Sequence, residues 1–545
     1  MASIDNVVRP IGSQAKFNTA RNSLGILRAV IVTCRYRVLT AHLRHQSLSL
    51  RDAVENALAT VILDQAMLRV GIAGEDTKEP VFVRLKTIDM RRMIEWEEVI
   101  ITPVPASSDM QHSEAENGRK GEEKQRQQQE ETRYEDRLLR SLEKHHETPW
   151  DDLASKPGWK IVVHHDPRQL SSLLRSDEAD AQLSLDISFC FHHAYADGKG
   201  GYILHAALLR ALNAAAAARP AELRAHILQL PGSPVLPPAM ETLIPFRLSW
   251  AFILRTVWAE LLYPILVPAF LRRLLRLEPT SDAELPWTGM PIDASNPKMH
   301  LRAVFRVDDE ATLRRILARC RGHEASLTGL LHALVARSLV RIMGERPLRS
   351  ATPIALAGYA DPDVAGAAFT PGETIHCLVT SLACGYDRDA LRPLRWGLNE
   401  HGGRAGDDAA VWAFARDMTA RLRAKTALLP RDDIVALSGL VGDWHEFFRD
   451  KFGKPRDASW ELSNLGSLDA RSEMEKEKEG GWFVDRAIFT QGGNPTSAAL
   501  NVNVAGVAGR GIYGTVSWQD GVVDVGLVEE VADDLRTWLA ELGES

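Results

Sequence analysis

A chain of 545 residues exceeds the roughly 250–300 at which one hydrophobic core stops growing, so two domains are expected. Its 45% hydrophobic and 25% charged residues are ordinary for a globular protein, and 65 Lys and Arg against 72 Asp and Glu leave a net charge of −7, which excludes a general nucleic-acid binder but allows a local basic pocket for an anionic ligand. Cys34, Cys190, Cys320, Cys377 and Cys384 are odd in number and lack CxxC spacing, which argues against a disulfide scaffold or structural zinc and for a reducing compartment.

The first 25 residues hold no apolar core of a secretory leader, so a cytoplasmic location is the expectation. Leu50, Ala53, Val54, Ala57, Leu58 and Val61 follow Ser49 at helical spacing, with Ser49 as N-cap and Asp52 three residues on. "EPVFVRL", residues 79–85, reads as a strand after a turn-like segment. From about 107 to 137 the chain is nearly devoid of large apolar residues, and the expectation is a disordered surface insertion. "GWKIVVHH" and "AQLSLDISFCF" then read as two strands that pair.

Residues 245–277 are strongly apolar, but Arg255 and Glu260 interrupt them and Pro264 and Pro268 break the helix. The longest uncharged run falls short of the roughly 20 residues a bilayer span needs. The readings are a crossover packed against the domains, or an in-plane membrane helix with Arg247, Arg272, Arg273 and Arg276 near headgroups; the latter would put the protein at the periphery of an endoplasmic-reticulum or lipid-droplet membrane. Further on, residues 300–343 read as strand, helix, turn and helix, with Asp308 or Asp309 and Ser326 as caps and Gly322 ending the first helix. A hairpin turning at 508–511 and a closing amphipathic helix complete the chain. The simplest architecture is α/β: an N-terminal domain over 1–235, an apolar linker over 236–295 and a C-terminal domain over 296–545.

The stretch "SLDISFCFHHAYADGKGGY", residues 184–202, carries the chemistry. Alternation puts Leu183, Leu185, Ile187, Phe189 and Phe191 on one strand face, with Ser184, Asp186, Ser188, Cys190 and His192 on the other. One further step places His193 on the apolar side at the strand end, where a neutral imidazole can act as general base, while His192 faces away as structure. Asp197-Gly198 reads as the sharp point of the following turn, with a helix from Tyr202 onward. The pairs His145-His146 and His164-His165 lack this setting. A satisfied structural histidine is the competing interpretation of His193.

His192, His193, Asp197 and Gly198 match the HHxxxDG motif, and here the chain resembles the CoA-dependent acyltransferase superfamily of chloramphenicol acetyltransferase and peptide-synthetase condensation domains. "RPIGSQAKFNTARNSLG", "ASLTGLLHALVARSL", "WELSNLG" and "SWQDGVV" occur in the order found in the fungal alcohol acetyltransferase family, so the resemblance spans nearly the whole chain. It implies an α+β sandwich of two chloramphenicol acetyltransferase-like domains, with a tunnel and active site at their interface. It implies O-acetyl transfer from acetyl-CoA to a small-molecule alcohol of secondary metabolism, by a monomer with no permanently bound cofactor, no metal and no nucleic-acid partner.

By the same resemblance His193 is the general base and Asp197 supports the loop by pairing with an arginine, Arg21 or Arg9. Ser463 or Asn464 donates to the oxyanion, and a plain polar turn there is the alternative. No CoA-contacting residue is assigned. Family members tend to carry an arginine where this chain has Ala357-Gly358, so a substitute elsewhere or weakened catalysis follows, and a non-catalytic acyl-CoA binder stays open. Also open are carrier-dependent condensation, N-acylation, and a Cys190 thiolate activated by His192, although a buried inert thiol is favoured there. A metal held by His192, His193 and Asp197 is disfavoured because adjacent strand residues point apart.

Overall fold

The computed structural model describes residues 6–45, 49–100, 116–168, 170, 182–214, 219–258, 285–396, 409–470 and 481–544. In chain order the elements that matter here are α1 (Ser13–Ser23), β1 (Val30–Leu39), α2 (Leu50–Asp64), β2 (Ile94–Glu98), α3 (Glu116–Glu147), β3 (Trp159–His165), β4 (Gln182–Phe191), α4 (Gly198–Asn213) and α5 (Trp250–Val257). The second half adds β5 (Met299–Val307), α6 (Glu310–Gly322), α7 (Leu327–Met343), β6 (Leu348–Ala355), β7 (Val379–Tyr386), α8 (Ala409–Leu428), β8 (Ala458–Leu468), β9 (Phe483–Gln491), β10 (Ala498–Val507), β11 (Ile512–Gln519) and α9 (Val525–Glu544). A five-stranded sheet in the order β9-β1-β4-β3-β2 and a six-stranded sheet in the order β5-β11-β10-β8-β6-β7 form two lobes.

Each sheet covers one face with helices. Val54, Leu58 and Ile62 of α2 and Leu204 and Leu208 of α4 share a core with Val32, Tyr36, Leu185, Ile187 and Phe189. In the second lobe Leu330, Leu334 and Leu339 of α7 and Leu535 and Leu539 of α9 pack on Trp460, Leu462, Val502 and Val516. The caps lie where the side chains dictate: Ser49 accepts from the Asp52 amide at 3.1 Å, Asp309 from Thr312 at 2.8 Å and Ser326 from Gly329 at 3.0 Å, each satisfying an otherwise orphaned donor. β3 and β4 pair antiparallel, Val81–Arg84 is a strand, and β10 and β11 form the C-terminal hairpin.

Two expectations are corrected. Residues 116–137, read as disordered, belong to α3, while 107–115 lie outside the described residues. The helix forms because its few apolar residues, Tyr134, Leu138, Leu139 and Leu142, are buried and its carboxylates meet arginines. Glu131 pairs with Arg35 of β1 and Arg486 of β9, and Glu135 with Arg486 and with Arg306 of β5. Burial of a polar helix is offset here by ion pairs contributed from three strands far away in sequence.

The sequential division at 295/296 also fails at one strand. β9, from the C-terminal half, leaves its own lobe and pairs antiparallel with β1, from Phe483 opposite Arg37 to Gln491 opposite Val30. The first-lobe sheet is therefore built from both halves of the chain. β9 ends at Gln491, whose side chain reaches Ser463 and Asn503 of the second sheet, and the loop beyond it carries Asn494 to Arg21 of α1.

Candidate active site

β4 alternates as its sequence requires, with Leu185, Ile187, Phe189 and Phe191 in the first-lobe core and Cys190 in a separate cluster with Ala29, Ile31 and Val162. The strand ends at Phe191, so the two histidines open the turn beyond it. The turn is shorter than the sequence suggests. Asp197 is already the N-cap of α4, which begins at Gly198 and not at Tyr202, because its carboxylate accepts from the Gly200 amide at 2.9 Å. The glycines permit the close approach: a Cβ on Gly198 would stand 2.3 Å from Leu465 of β8, and one on Gly201 2.4 Å from Val32 of β1.

The strand's alternation does not extend to the two histidines, and they take different roles in the turn. His192 is fully buried; its Nδ1 accepts from the Ala194 amide at 2.9 Å, so Nε2 carries the proton and donates to Glu75 at 2.7 Å, which Asn22 also engages at 2.8 Å. His193 keeps some solvent-accessible surface. Its Nδ1–H donates to the Ala196 carbonyl at 3.0 Å, with Cys377 Sγ 3.5 Å away, which fixes the tautomer and leaves the Nε2 lone pair available. Among the described residues no group hydrogen-bonds Nε2. Burial, with the positive charge of Arg21 nearby, lowers its pKa to about 4.

Helix α1 supports His193 from behind. Asn18 donates to the His193 carbonyl at 3.3 Å and approaches Cys377 at 3.6 Å. Arg21, also buried, donates to Asn18 at 3.2 Å and across the lobes to Asn494 at 2.7 Å, while Phe17 lies 5.0 Å from its guanidinium. Burial lowers the Arg21 pKa to about 10, with Glu461 of β8 and Cys377 opposing that drop.

Neither arginine named from the sequence pairs with Asp197. Arg21 is committed as described, and Arg9 donates to the carbonyls of Pro10 and Pro237. The Asp197 carboxylate is held by backbone amides instead, Gly200 on its own helix and Leu378 of the second lobe at 3.0 Å. The Leu378 carbonyl in turn accepts from Leu356, the residue preceding Ala357-Gly358. A main-chain donor thus stands beside the segment that carries Ala357-Gly358, and burial raises the Asp197 pKa.

Ser463 and Asn464 face opposite ways. Asn464 donates to Thr328 of α7 at 3.2 Å and accepts from Gly466, which places its side chain on the helix-covered face of the second sheet. Ser463 lies on the other face, in a buried polar layer with Glu461, Gln491 and Asn503. Its hydroxyl donates to Glu461 at 3.2 Å and accepts from Gln491 at 2.9 Å. Gln491 also donates to Asn503 at 3.0 Å, and Ser497 donates to Glu461 at 2.8 Å. Through Gln491 this layer joins β9 of the first-lobe sheet to β8 and β10 of the second.

The thiolate alternative lacks a geometry. Cys190 is fully buried in its own cluster and burial pushes its pKa up to about 12, so it is neither exposed nor ionised. Cys377 stands nearer to His193, but burial holds it protonated as well. His192 and His193 engage different partners and do not converge on one point. Sequence reading missed Asn18, Glu75, Cys377, Glu461, Gln491 and Asn494 as neighbours of the site. Glu461 lies within "WELSNLG" and Asn18 within "SQAKFNTARN", so alternation and helical spacing inside those segments were the available signals.

No family model matches the chain. It is 27% identical over 99% of its length, and 96% of the relative's, to a probable alcohol acetyltransferase of Fusarium pseudograminearum. A probable alcohol acetyltransferase of Aspergillus fumigatus is 24% identical, with 88% of each chain covered. Among solved structures, the trichothecene 15-O-acetyltransferase of Fusarium sporotrichioides superposes with a TM-score of 0.57 at 12% identity, covering 98% of this chain and 94% of that one. The condensation domain of the monacolin K polyketide synthase superposes at 0.51 and 13% identity, covering 99% and 98%. The chain has the two-lobed mixed α/β fold of condensation domains and chloramphenicol acetyltransferase-like acyltransferases, and along its whole length it resembles fungal alcohol acetyltransferases.

Proposed function

We propose that this chain is an acyl-CoA-dependent O-acyltransferase that moves an acetyl group from acetyl-CoA to a hydroxyl of a small-molecule alcohol, with His193 as general base. The observation that carries this reading is the fixed tautomer of His193, whose Nδ1–H is taken by Ala196 and whose Nε2 is left as a proton acceptor. An alcohol O–H donates to Nε2 as its oxygen attacks the thioester carbon. The C–O bond forms, the C–S bond breaks, and the imidazolium returns the proton to the departing CoA thiolate. The thioester is already activated, so the remaining requirement is a donor for the oxyanion.

Ser463 is the candidate for that donor, by turning its hydroxyl from Glu461 toward the substrate, and Asn464 leaves the list because its amide is spent on Thr328. Ser463→Ala is then expected to lower kcat by about 10²–10³ with little change in KM, measured by thiol release from acetyl-CoA. An unchanged kcat would assign the serine to the buried network alone.

The low pKa of His193 sets the pH dependence. The base works when neutral, so kcat/KM stays level through 6.5, where an ordinary imidazole titrates, and falls only as pH drops toward about 4. A pH–rate profile with an acid limb near the ordinary histidine value would contradict this environment.

The acceptor is expected to be a hydroxylated secondary metabolite, in keeping with the fungal relatives. The test is release of CoA thiol from acetyl-CoA by the purified protein across a panel of hydroxylated terpenoids, polyketides and simple alcohols. Release that depends on an alcohol supports the reading; transfer only to amines, or only from a carrier-bound donor, would replace it.

A further inference from the structure

The short helix α5 is firmly attached yet carries its largest side chains outward. Ser249 caps it, accepting from Phe252 at 3.2 Å, and Asp432 holds Ser249 through its amide at 2.6 Å and its hydroxyl at 3.0 Å. The Arg247 carbonyl accepts from the Asp432 amide at 2.9 Å, so the helix is pinned to the segment around 428–434. Phe252 and Ile253 are half-buried. Trp250, Leu254 and Trp258, spaced four residues apart on one stripe, are 79%, 65% and 49% exposed. On the pinning segment Leu428 and Ile434 are 45% and 50% exposed.

Among the described residues, the exposed charges along 247–258 and the pinning segment are arginines. Arg247, Arg255 and Arg431 are exposed, and the acidic side chains of the pinning segment are engaged, Asp432 by Ser249 and by Arg431 at 3.4 Å and the buried Asp433 by Thr380 and Lys425. Tryptophan and leucine flanked by arginine suit the boundary between acyl chains and anionic headgroups: the rings insert while the guanidinium groups stay with phosphate. A second copy of the chain would bring arginines against arginines, with Asp432 and Asp433 among the described residues already engaged, which disfavours self-association through this face. No single helix among the described residues is long and apolar enough to cross a bilayer, so the contact is in the plane of the surface.

The geometry points to α5 and its pinning segment as a docking surface for an anionic lipid bilayer, holding the protein at a membrane face. This is independent of the chemistry at His193. The experiment is co-sedimentation of the full chain with phosphatidylcholine vesicles, with and without phosphatidylserine. Binding is expected to be stronger by at least about tenfold with the anionic lipid and to weaken with salt. Trp250→Ser with Leu254→Ser and Trp258→Ser should abolish it, and Arg247→Glu with Arg255→Glu should remove the preference for anionic lipid.

All these side chains are exposed, so the variants keep the melting temperature of the parent chain, which is measured alongside. Wild-type protein that stays in the supernatant at every composition overturns the proposal. So does a serine variant that sediments as well as wild type, or light scattering showing a dimer that the serine variant turns into a monomer.

Discussion

His193→Ala is expected to reduce acyl transfer from acetyl-CoA by about 10²–10⁴ while leaving the fold intact. The imidazole donates to a single carbonyl, that of Ala196, and its removal opens a space at a partly accessible position without stranding a buried charge. The measurement is CoA release together with thermal unfolding. A large loss of rate at an unchanged melting temperature is the expected pair. His192→Ala should give the reverse pattern, because it leaves the Glu75 carboxylate with Asn22 as its remaining donor and the Ala194 amide without its acceptor. Transfer that survives His193→Ala would remove the histidine from the chemistry, whatever the fold.

The largest effect on stability is expected at Asp186, on the face of β4 opposite the core. Its carboxylate is 1% exposed and accepts from Arg35 at 3.3, 3.2 and 3.0 Å and from Arg486 at 3.4 Å. Those arginines also hold Glu131 and Glu135, so Asp186 ties β1, β4, β9 and α3 together. Removing one charge from a buried network costs about 3–5 kcal/mol, a large share of a total of about 5–15. Asp186→Ala should therefore lower the denaturant midpoint sharply, with loss of soluble protein at physiological temperature as the limiting case.

The same group gives a pH signature. Neighbouring arginines outweigh burial and hold the Asp186 carboxyl well below the usual aspartate range. A depressed folded pKa contributes stability that is complete above the unfolded value of about 3.9 and is lost as pH falls toward the folded value. Acid unfolding should steepen below about pH 4 in the wild type. Asp186→Ala should flatten that slope, and equal slopes in the two proteins would show that the network does not govern acid stability.

Local pattern carried far in this chain, and its limits were physical. The period of two held through β4 to Phe191, and the caps at Ser49, Asp309 and Ser326 appeared where short polar side chains precede apolar periodicity. Helix α3 was invisible because its stability resides in arginines on β1, β5 and β9, and composition within the segment cannot report partners outside it. The pairing of Asp197 was misjudged for a related reason. A side-chain partner can be sought by residue type, but the amide of Leu378 is present at every position and only the fold brings it into place. Ser463 and Asn464 were inseparable by sequence until the strand register assigned them to opposite faces.

The crossing of β9 into the first sheet bears on how the protein is made. During synthesis the first 235 residues emerge with β1 as an unfinished margin, its outward N–H and C=O groups awaiting a partner encoded about 450 positions later in the sequence. The N-terminal lobe cannot mature until β9 has been synthesised, so the nascent chain must be shielded from pairing with its neighbours over that interval. For the same reason the lobes cannot be cut apart into independent modules: a fragment ending before Phe483 keeps the HHxxxDG motif and carries a sticky margin in place of an interior strand.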